Sequence, residues 1–243
     1  MNKRFLDKVV IVTGSGSGIG QTTAERFAEE GAKVIIAELD KTTGKLVEEN
    51  INKKNNKSKF IETDVSDFNS VNDMVNGAIK QFGPPDILIN NAGINVFSEP
   101  LKMSNAEWKR AFSVDLDGVW YGCKAVLPYM LEKGKGSIVN ISSVHGFQII
   151  PNCFPYPVAK HGVIGLTRAL AVDYAAKGIK INCISPGFIK TKMTDRLDDK
   201  YKEAIISKIP SARLGEPNDV ANAVVFLCSN QSNYINGETL HVN

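Results

Sequence analysis

Three residues that are close together in the sequence could carry out acid–base chemistry. Tyr156 and Lys160 are four residues apart, so on a helix they would share one face. An ammonium group beside a phenol favours the phenolate, whose formation otherwise has a pKa of about 10. Ser143 precedes them at the end of a predicted strand and could hold a carbonyl or alcohol oxygen against the phenol. These are the groups that proton transfer between an alcohol and a ketone requires.

Tyrosine–lysine pairs at this spacing also occur on ordinary helix surfaces, so the surrounding elements decide what this pair means. Short β-branched runs alternate with longer helical patterns along the chain. The predicted strands are Val9–Thr13, Lys33–Glu38, Ser58–Glu62, Ile87–Asn90, Ser137–Ser142, Lys180–Ile184 and Thr239–Val242. The predicted helices lie near residues 19–30, 42–55, 67–82, 104–132, 157–177 and 217–229. Several strands are apolar on both faces, which is typical of central parallel strands covered by helices.

A glycine-rich turn links the first predicted strand to the first predicted helix. Such a turn lets the backbone approach a pyrophosphate at a helix N-terminus, where free N–H groups favour anions. Its pattern is G-x-x-x-G-x-G, which differs from G-x-G-x-x-G and is not followed by the lysine of a P-loop. The predicted cofactor-binding residues here are Gly14, Ser15, Gly16, Ser17, Gly18, Ile19 and Gly20.

Two acidic residues at strand ends indicate which nucleotide would bind. Glu38 ends the second strand, where a carboxylate can accept hydrogen bonds from ribose hydroxyls and repels a 2′-phosphate. Ser17 and Leu39 stand where an NADP site would be expected to offer an arginine or lysine, so NAD(H) is favoured over NADP(H). An exposed strand-end acid without a ligand is the alternative for Glu38. Asp64, after the third strand, could reach an adenine amino group.

The strand–helix alternation predicts an α/β fold, a Rossmann-like doubly wound parallel sheet of about seven strands with helices on both faces. No linker, repeat or low-complexity segment divides residues 1–243, so we predict a single dinucleotide-binding and catalytic domain. The densely charged segment 188–213 follows a Ser-Pro-Gly turn. It could be a loop and helix that close over a substrate, although a surface excursion would give the same pattern.

Composition excludes several other classes of function. The net charge of +3 is spread along the chain, and the basic tract at residues 52–59 has no aromatic residues that could stack on bases. Nucleic acid is therefore not an expected partner. The four cysteines and three histidines are isolated from one another, so no metal site is predicted and the thiols suggest a reducing compartment. The sequence has neither a secretory segment nor a membrane-spanning one, which favours a cytoplasmic location.

The motifs taken together resemble those of the short-chain dehydrogenase/reductase family over essentially the whole chain. The matching motifs are T-G-S-G-S-G-I-G at 13–20, D-V at 64–65, N-N-A-G at 90–93, Ser143, Y-P-V-A-K at 156–160, and S-P-G at 185–187 with Thr191 behind it. Each motif alone is modest evidence. Their order and spacing together are specific.

The resemblance implies a role for each matching residue. Tyr156 would exchange a proton with the substrate oxygen, Lys160 would assist it and bind the nicotinamide ribose, and Ser143 would hydrogen-bond the reacting oxygen. The remaining cofactor contacts would come from Val65, Asn91, Ala92, Gly93, Pro186, Gly187, Ile189 and Thr191. The family usually associates through its two long middle helices, so a homotetramer or homodimer through 104–132 and 157–177 is expected.

One departure from the family pattern falls in the catalytic set. The family commonly has Asn-Leu-x-Gly where this chain has Asp115-Leu116-Asp117-Gly118, and that asparagine holds a water leading to the lysine. If the carboxylate of Asp115 approaches Lys160 through this water, it would favour the ammonium. We therefore hypothesise an altered pH dependence of proton transfer, which an Asp115→Asn variant would test.

The substrate-binding residues are expected in the loop after Ser143, in residues 94–101 and in the 188–213 segment. The candidate substrate contacts are His145, Phe147, Asn152 and Phe154. Similarity to members that act on sugars and deoxy sugar acids suggests a small polar alcohol or ketone. A 3-oxoacyl-carrier-protein reductase is an alternative, disfavoured because that activity usually goes with NADPH and a basic docking patch. A catalytically silent NAD-binding regulator is another, disfavoured because it would need no activated phenol.

Overall fold

A single parallel sheet of seven strands organises the computed structural model, which describes residues 3–195 and 198–243, with Met193 described by its backbone alone. The strands are β1 (Val9–Thr13), β2 (Lys33–Glu38), β3 (Lys57–Glu62), β4 (Ile87–Asn90), β5 (Gly136–Ile141), β6 (Ile179–Pro186) and β7 (Thr239–Val242). They lie in the order β3-β2-β1-β4-β5-β6-β7, which confirms the predicted doubly wound sheet. Strand β6 continues past the predicted end to Pro186, because Ser185 and Pro186 still pair with β7.

Nine α-helices connect the strands in the described part of the chain. They are α1 (Gly18–Glu29), α2 (Lys41–Lys53), α3 (Phe68–Phe82), α4 (Asn105–Phe112), α5 (Gly118–Lys133), α6 (Tyr156–Tyr174), α7 (Lys192–Asp195), α8 (Asp199–Ile206) and α9 (Pro217–Cys228). The single helix predicted near 104–132 is in fact α4 and α5 joined by a π-helical turn, Ser113–Asp117. A π-turn inserts an extra residue into the helical ladder and is frequent at functional sites.

Both faces of the sheet are buried under helices. On one face, alternate strand residues such as Val12 and Ile36 pack with Phe27 of α1 and Val224 of α9. On the other face, Ile11 and its neighbours pack against α3, α5 and α6. Because β1, β2 and β4 are covered on both sides, apolar side chains occupy consecutive positions along them, whereas β3, at the edge of the sheet, is partly exposed.

The strand order reverses between β1 and β4, and this places a crevice at the carboxyl edge of the sheet. A buried polar network fixes the strands next to the crevice. Asn90 of β4 donates to the Asn140 side chain of β5 at 2.9 Å, and Asn140 donates to Thr167 of α6 at 3.0 Å. The segments that follow β4 and β5 therefore leave the sheet from fixed positions. Among the described residues, no helix has the length and apolarity needed to cross a membrane.

Candidate active site

A cavity of about 690 Å³ runs along the carboxyl edge of the sheet and brings most of the predicted site residues together. Ser143, Tyr156 and Lys160 all line it. The predicted cofactor-binding residues on its wall are Gly14, Ser17, Gly18, Ile19, Gly20, Glu38, Leu39, Asp64, Val65, Asn91, Ala92, Gly93, Tyr156, Lys160, Pro186, Gly187, Ile189 and Thr191. Residues that are far apart in the sequence thus face one space.

The glycine turn is shaped by close backbone approaches at its two ends. Gly14 has a φ of +62°, and a Cβ there would lie 2.7 Å from the Cα of Ala92. A Cβ on Gly20 would collide with the carbonyl oxygen of Gly14. Helix α1 begins at Gly18 without a side-chain cap from Ser17, so its first N–H groups stay available at the cavity. Larger residues at Gly14 and Gly20 would clash with the neighbouring backbone and so change the path of the turn.

Two predicted cofactor residues, Ser15 and Asn91, support the turn through their side chains. The Ser15 hydroxyl is buried and donates to the Val12 carbonyl at 2.8 Å, while Ser15 and Gly16 are not among the described residues that line the cavity. The side-chain amide of Asn91 donates to the carbonyls of Thr13 and Gly14 at 2.9 and 3.1 Å. These side-chain groups hold the turn, and Asn91 also lines the cavity.

Glu38 is fixed by backbone donors at the far end of the cavity. Its Oε2 accepts from the Gly16 N–H at 2.9 Å, and its Oε1 accepts from the N–H groups of Leu39 and Asp40 at 2.8 and 3.1 Å. A Cβ on Gly16 would lie 2.8 Å from the Cγ of Glu38. The carboxylate is therefore held in one position. The three backbone N–H groups, which could otherwise bind a phosphate, donate to this carboxylate instead.

Asp64 is oriented in a similar way beside it. Its Oδ1 accepts from the N–H of Ser66 at 2.9 Å and from the Ser66 hydroxyl at 2.6 Å. Its own N–H donates to the Ser70 hydroxyl at 2.9 Å. Leu39 and Val65 lie on the same stretch of wall and supply apolar surface. The arrangement suits a flat base with an edge amino group.

The serine, tyrosine and lysine come from the end of β5 and the start of α6. Tyr156 opens α6, and Lys160 follows one turn later with its Nζ 5.4 Å from the centre of the Tyr156 ring. The Lys160 Nζ donates to the carbonyl of Ile141, the last residue of β5, at 3.3 Å. The Ser143 hydroxyl oxygen accepts from the His145 N–H at 3.2 Å, so its proton remains free to be donated into the cavity.

Asp115 lies directly against Lys160. The π-turn places its carboxylate fully inside the protein, with Oδ1 3.7 Å from the Lys160 Nζ and 3.0 Å from the N–H of Ile94, which donates to it. Among the described residues its Oδ2 has no hydrogen-bond partner. A Cβ on Gly93 would lie 2.9 Å from Oδ1 and 3.4 Å from Nζ, so a glycine there leaves room for the pair. The sequence suggests an approach of the two groups through a water, whereas in the structure their charged atoms lie within ion-pair distance of each other.

Burial and charge act in opposite directions on this pair. Burial raises the pKa of the Asp115 carboxyl, while Lys160 and the Ile94 N–H counteract part of that rise. Burial alone would lower the pKa of Lys160, but the charges of Tyr156 and Asp115 outweigh it, so that pKa is raised. The lysine is therefore an ammonium at neutral pH.

The predicted substrate residues separate into two groups. His145 lines the cavity, and its ring meets the Tyr156 ring edge-on with centroids 6.2 Å apart. The structure places the other three off the cavity wall. Phe147 packs on His241 with ring centroids 4.4 Å apart, Phe154 packs on Trp108, and Asn152 forms a turn with a φ of +62°. They shape the loop that carries His145.

The 188–213 segment contains α7 and α8, with residues 196 and 197 outside the described part of the chain. Its start is anchored, since Lys190 donates from its N–H to the Gly215 carbonyl at 2.8 Å and Gly215 donates to Phe188 at 2.9 Å. Thr191 reaches the glycine turn, where a Cβ on Gly18 would lie 3.2 Å from its Cγ2. Tyr201 of α8 also lines the cavity, so this segment forms one of its walls.

Several wall residues were not predicted from the sequence. Arg110, Ser113 and Val114 line the cavity where α4 passes into the π-turn. Ile150 and Cys153 also line it, from the loop after Ser143 in which substrate-binding residues were predicted. The helical pattern near 104–132 gave no sign of a break, whereas the Asp115 departure in the same stretch was a signal that this turn faces the site.

Comparison with known proteins gives a consistent family. Residues 14–243 match a family model described as enoyl-(acyl-carrier-protein) reductase. The 3-oxoacyl-(acyl-carrier-protein) reductase FabG of Staphylococcus aureus is 39% identical over 239 residues, covering 98% of this chain and 97% of that protein. The FabG of Thermotoga maritima is 36% identical over 240 residues, covering 98% and 97%. The crystal structure of levodione reductase has 36% identity and a TM-score of 0.94, covering 99% and 97%.

The fold, the site and these matches define the class of protein: the chain belongs to the short-chain dehydrogenase/reductase family. Members of this family are oxidoreductases that use a nicotinamide cofactor. The cavity fits such a group. The N-terminus of α1 opens on the cavity without a side-chain cap and can bind the pyrophosphate, and the Glu38 carboxylate lies on the same wall, where it could accept hydrogen bonds from ribose hydroxyls.

Proposed function

We propose that this protein is an NAD(H)-dependent oxidoreductase that interconverts a secondary alcohol and a ketone. The observation that carries the proposal is that Ser143, Tyr156 and Lys160 face the same cavity as the glycine turn and Glu38. A proton-transfer site and a dinucleotide site in one crevice are the two parts that such a reaction needs. The hydrogen bond from the Lys160 Nζ to the Ile141 carbonyl holds the lysine in position beside the phenol.

The chain's own residues handle the proton and the reacting oxygen. In carbonyl reduction Tyr156 gives its phenolic proton to the substrate oxygen, and the Ser143 hydroxyl donates a second hydrogen bond to that oxygen. In alcohol oxidation the phenolate accepts the proton. The Lys160 ammonium stabilises the phenolate and binds a ribose hydroxyl. A bound nicotinamide supplies the hydride in one direction and accepts it in the other.

The preference for NAD(H) over NADP(H) rests on Glu38. Its carboxylate is held by three backbone N–H groups and cannot turn away easily from a 2′-phosphate. The negative charges of the carboxylate and of a 2′-phosphate would repel each other, and the neighbouring Leu39 offers no compensating cation. Ribose hydroxyls, in contrast, are good hydrogen-bond donors to the carboxylate.

A small polar substrate, such as a sugar or sugar-acid derivative, is the proposed class. The cavity wall includes the polar side chains of Asn95, Ser113 and His145, of which His145 meets the Tyr156 ring. The Nδ1 of His145 lies 2.9 Å from the Gln148 carbonyl, which can only accept, so Nδ1 carries the proton. In this tautomer Nε2 is the acceptor nitrogen, which suits a substrate hydroxyl next to the reacting carbon.

Reduction of 3-oxoacyl-carrier-protein thioesters is the second candidate function. The FabG relatives at 36–39% identity favour it. The fixed Glu38 argues for NADH in place of NADPH, because its carboxylate would repel the 2′-phosphate.

A paired screen tests the proposal. Purified protein is assayed with NAD and with NADP against secondary alcohols, and with NADH and NADPH against ketones, sugar acids and a 3-oxoacyl thioester. We expect turnover of small polar substrates with NAD(H). Preference for the thioester with NADPH would support the second candidate. Cofactor binding without any turnover would indicate a regulatory protein.

A homotetramer or homodimer through α4–α5 and α6 is the proposed assembly. These helices leave apolar side chains at the surface, among them Trp120, Leu131, Val158 and Val172, the last 82% exposed. Light-scattering mass measurement should give a multimer for the native chain and a smaller species for Val172→Asp. Val172→Thr, which adds no charge, is the matched control, and a monomeric native chain would refute the assembly.

A further inference from the structure

The buried pair formed by Asp115 and Lys160 changes the charge around Tyr156. Both side chains are in the interior, at 0% and 3% exposure, and their charged atoms are 3.7 Å apart. An asparagine at position 115 could accept the Ile94 N–H in the same way, because its amide oxygen has the shape of a carboxylate oxygen. What the aspartate adds is therefore a negative charge on the lysine.

Other groups around the pair do not cancel this charge. From β6, the Cys183 thiol faces Lys160, and burial raises its pKa to about 11, so it is neutral in the working range. From α6, Tyr156 is the group whose ionisation is at issue, and from β5 the Ile141 carbonyl only accepts from the ammonium. Asp117, on the same π-turn, is exposed to solvent. From the loop after β5, the His145 ring meets the Tyr156 ring edge-on with centroids 6.2 Å apart, and it is the same in the native protein and in a variant at position 115. The buried charged groups beside the phenol are thus one anion and one cation.

Counting charges gives the direction of the effect. With aspartate, the pair is neutral and ionising the phenol leaves a buried net negative charge. With asparagine, the lysine would be uncompensated and ionising the phenol would give a neutral site. Because a buried net charge is costly, the phenolate is harder to form in the native protein than in one with asparagine.

We propose that the Asp115 carboxylate offsets the positive charge of Lys160, so that this charge stabilises the Tyr156 phenolate less. The phenol then stays protonated to a higher pH, which favours carbonyl reduction. This inference rests on the proposed function. Reduction needs the phenol to give its proton to the carbonyl oxygen, whereas oxidation needs the phenolate to accept the alcohol proton. The native enzyme then reduces ketones up to a higher pH, and oxidises alcohols only at a more alkaline pH, than its asparagine variant.

The first test compares pH–rate profiles of Asp115→Asn with those of the native enzyme in both directions. A charge in contact with the site shifts such ionisations by about one unit or more. In the variant, we expect the pH at which kcat/KM for oxidation rises to be lower by about one unit or more. The pH at which kcat/KM for reduction falls should be lower by the same amount. Asp117→Asn removes an exposed acid two residues away and should keep the native profile. Coincident profiles, or a shift to higher pH, would overturn the proposal.

The second test needs no turnover and so separates this inference from the proposed function. Tyrosinate formation is followed by ultraviolet absorbance in the cofactor-free protein, and the Tyr156→Phe difference isolates the site phenol. The Tyr156 phenol should ionise at a lower pH in Asp115→Asn than in the native protein, by about the shift expected in the pH–rate profiles. Asp115→Ser should give the same shift, so the result does not depend on one variant folding. If Asp115 were protonated in the working range, all three proteins would titrate together and the proposal would fail.

Discussion

The two ends of the cavity are built in different ways. At the adenosine end, Glu38 and Asp64 are held by backbone N–H groups from their own or adjacent turns. At the substrate end, His145 is held by one carbonyl on an irregular loop, and much of the remaining wall comes from the 188–213 segment. The first end is specified by short stretches of sequence and has little freedom. The substrate end depends on how separate loops pack, and its residues can therefore determine substrate specificity.

The reacting groups between the two ends should give the largest effect. Tyr156→Phe removes the proton that is exchanged with substrate and keeps the ring that packs against Phe97 and His145. We expect kcat to fall by about 10²–10⁴-fold, the usual contribution of a positioned acid–base group. The dissociation constant for NADH, measured by fluorescence, should change little. Full activity in this variant would refute the assignment of Tyr156 as the acid–base group.

The buried pair next to the tyrosine should give the largest effect on stability. Lys160→Met leaves the Asp115 carboxylate buried without its cation, which costs about 3–5 kcal/mol of unfolding free energy at neutral pH. Urea unfolding at constant protein concentration measures this. The exposed Lys109→Met is the matched control and should stay near the native value.

The pH dependence of that variant has a definite sign. Burial raises the pKa of Asp115, and without Lys160 the native state holds this proton to a still higher pH than the unfolded chain does. Stability of Lys160→Met should therefore rise as the pH falls through the raised pKa of Asp115, above its ordinary value. Lys160→Met combined with Asp115→Asn should recover most of the loss. A double variant as unstable as the single one would contradict the charge explanation.

The adenosine end should respond next, through cofactor choice. Glu38→Ser removes the carboxylate and frees the N–H groups of Gly16, Leu39 and Asp40 for a phosphate. We expect the ratio of kcat/KM with NAD to that with NADP to fall by about 10–100-fold, equivalent to about 1.4–2.8 kcal/mol. Asp40→Ser also removes one negative charge, while serine can still cap α2, so its ratio should remain close to native. An unchanged ratio in Glu38→Ser would mean that another group discriminates.

The adenosine end was predictable because its chemistry is local. A strand, a glycine turn and a helix in immediate succession already require the geometry that the structure shows, and the acid that ends β2 necessarily lies beside the turn. The strands β1, β2 and β4 followed from apolar runs that only a doubly covered sheet can bury. What this reasoning could not show was the hydrogen bonding of Glu38, since it depends on the orientation of three amides.

The substrate end was less predictable because its wall is assembled from distant segments. Arg110 reaches it from a helix that breaks into a π-turn, and periodicity over 104–132 does not reveal such a break. Sequence proximity to Ser143 suggested Phe147, yet its ring is turned towards β7 by packing on His241. Aromatic residues in a loop fill whichever apolar contact the fold supplies, and the sequence does not show which one.

Variants of His145 and Phe147 test which side of their loop contacts the substrate. Both are on one loop, but only His145 lies on the cavity wall among the described residues. His145→Ala removes the acceptor Nε2, and we expect KM for a hydroxylated ketone to rise about tenfold, the loss of one hydrogen bond of about 1.4 kcal/mol. Phe147→Ala should leave KM nearly unchanged and lower thermal stability slightly. The opposite pattern would mean that the loop turns in solution to present Phe147, and that an apolar group of the substrate is recognised there.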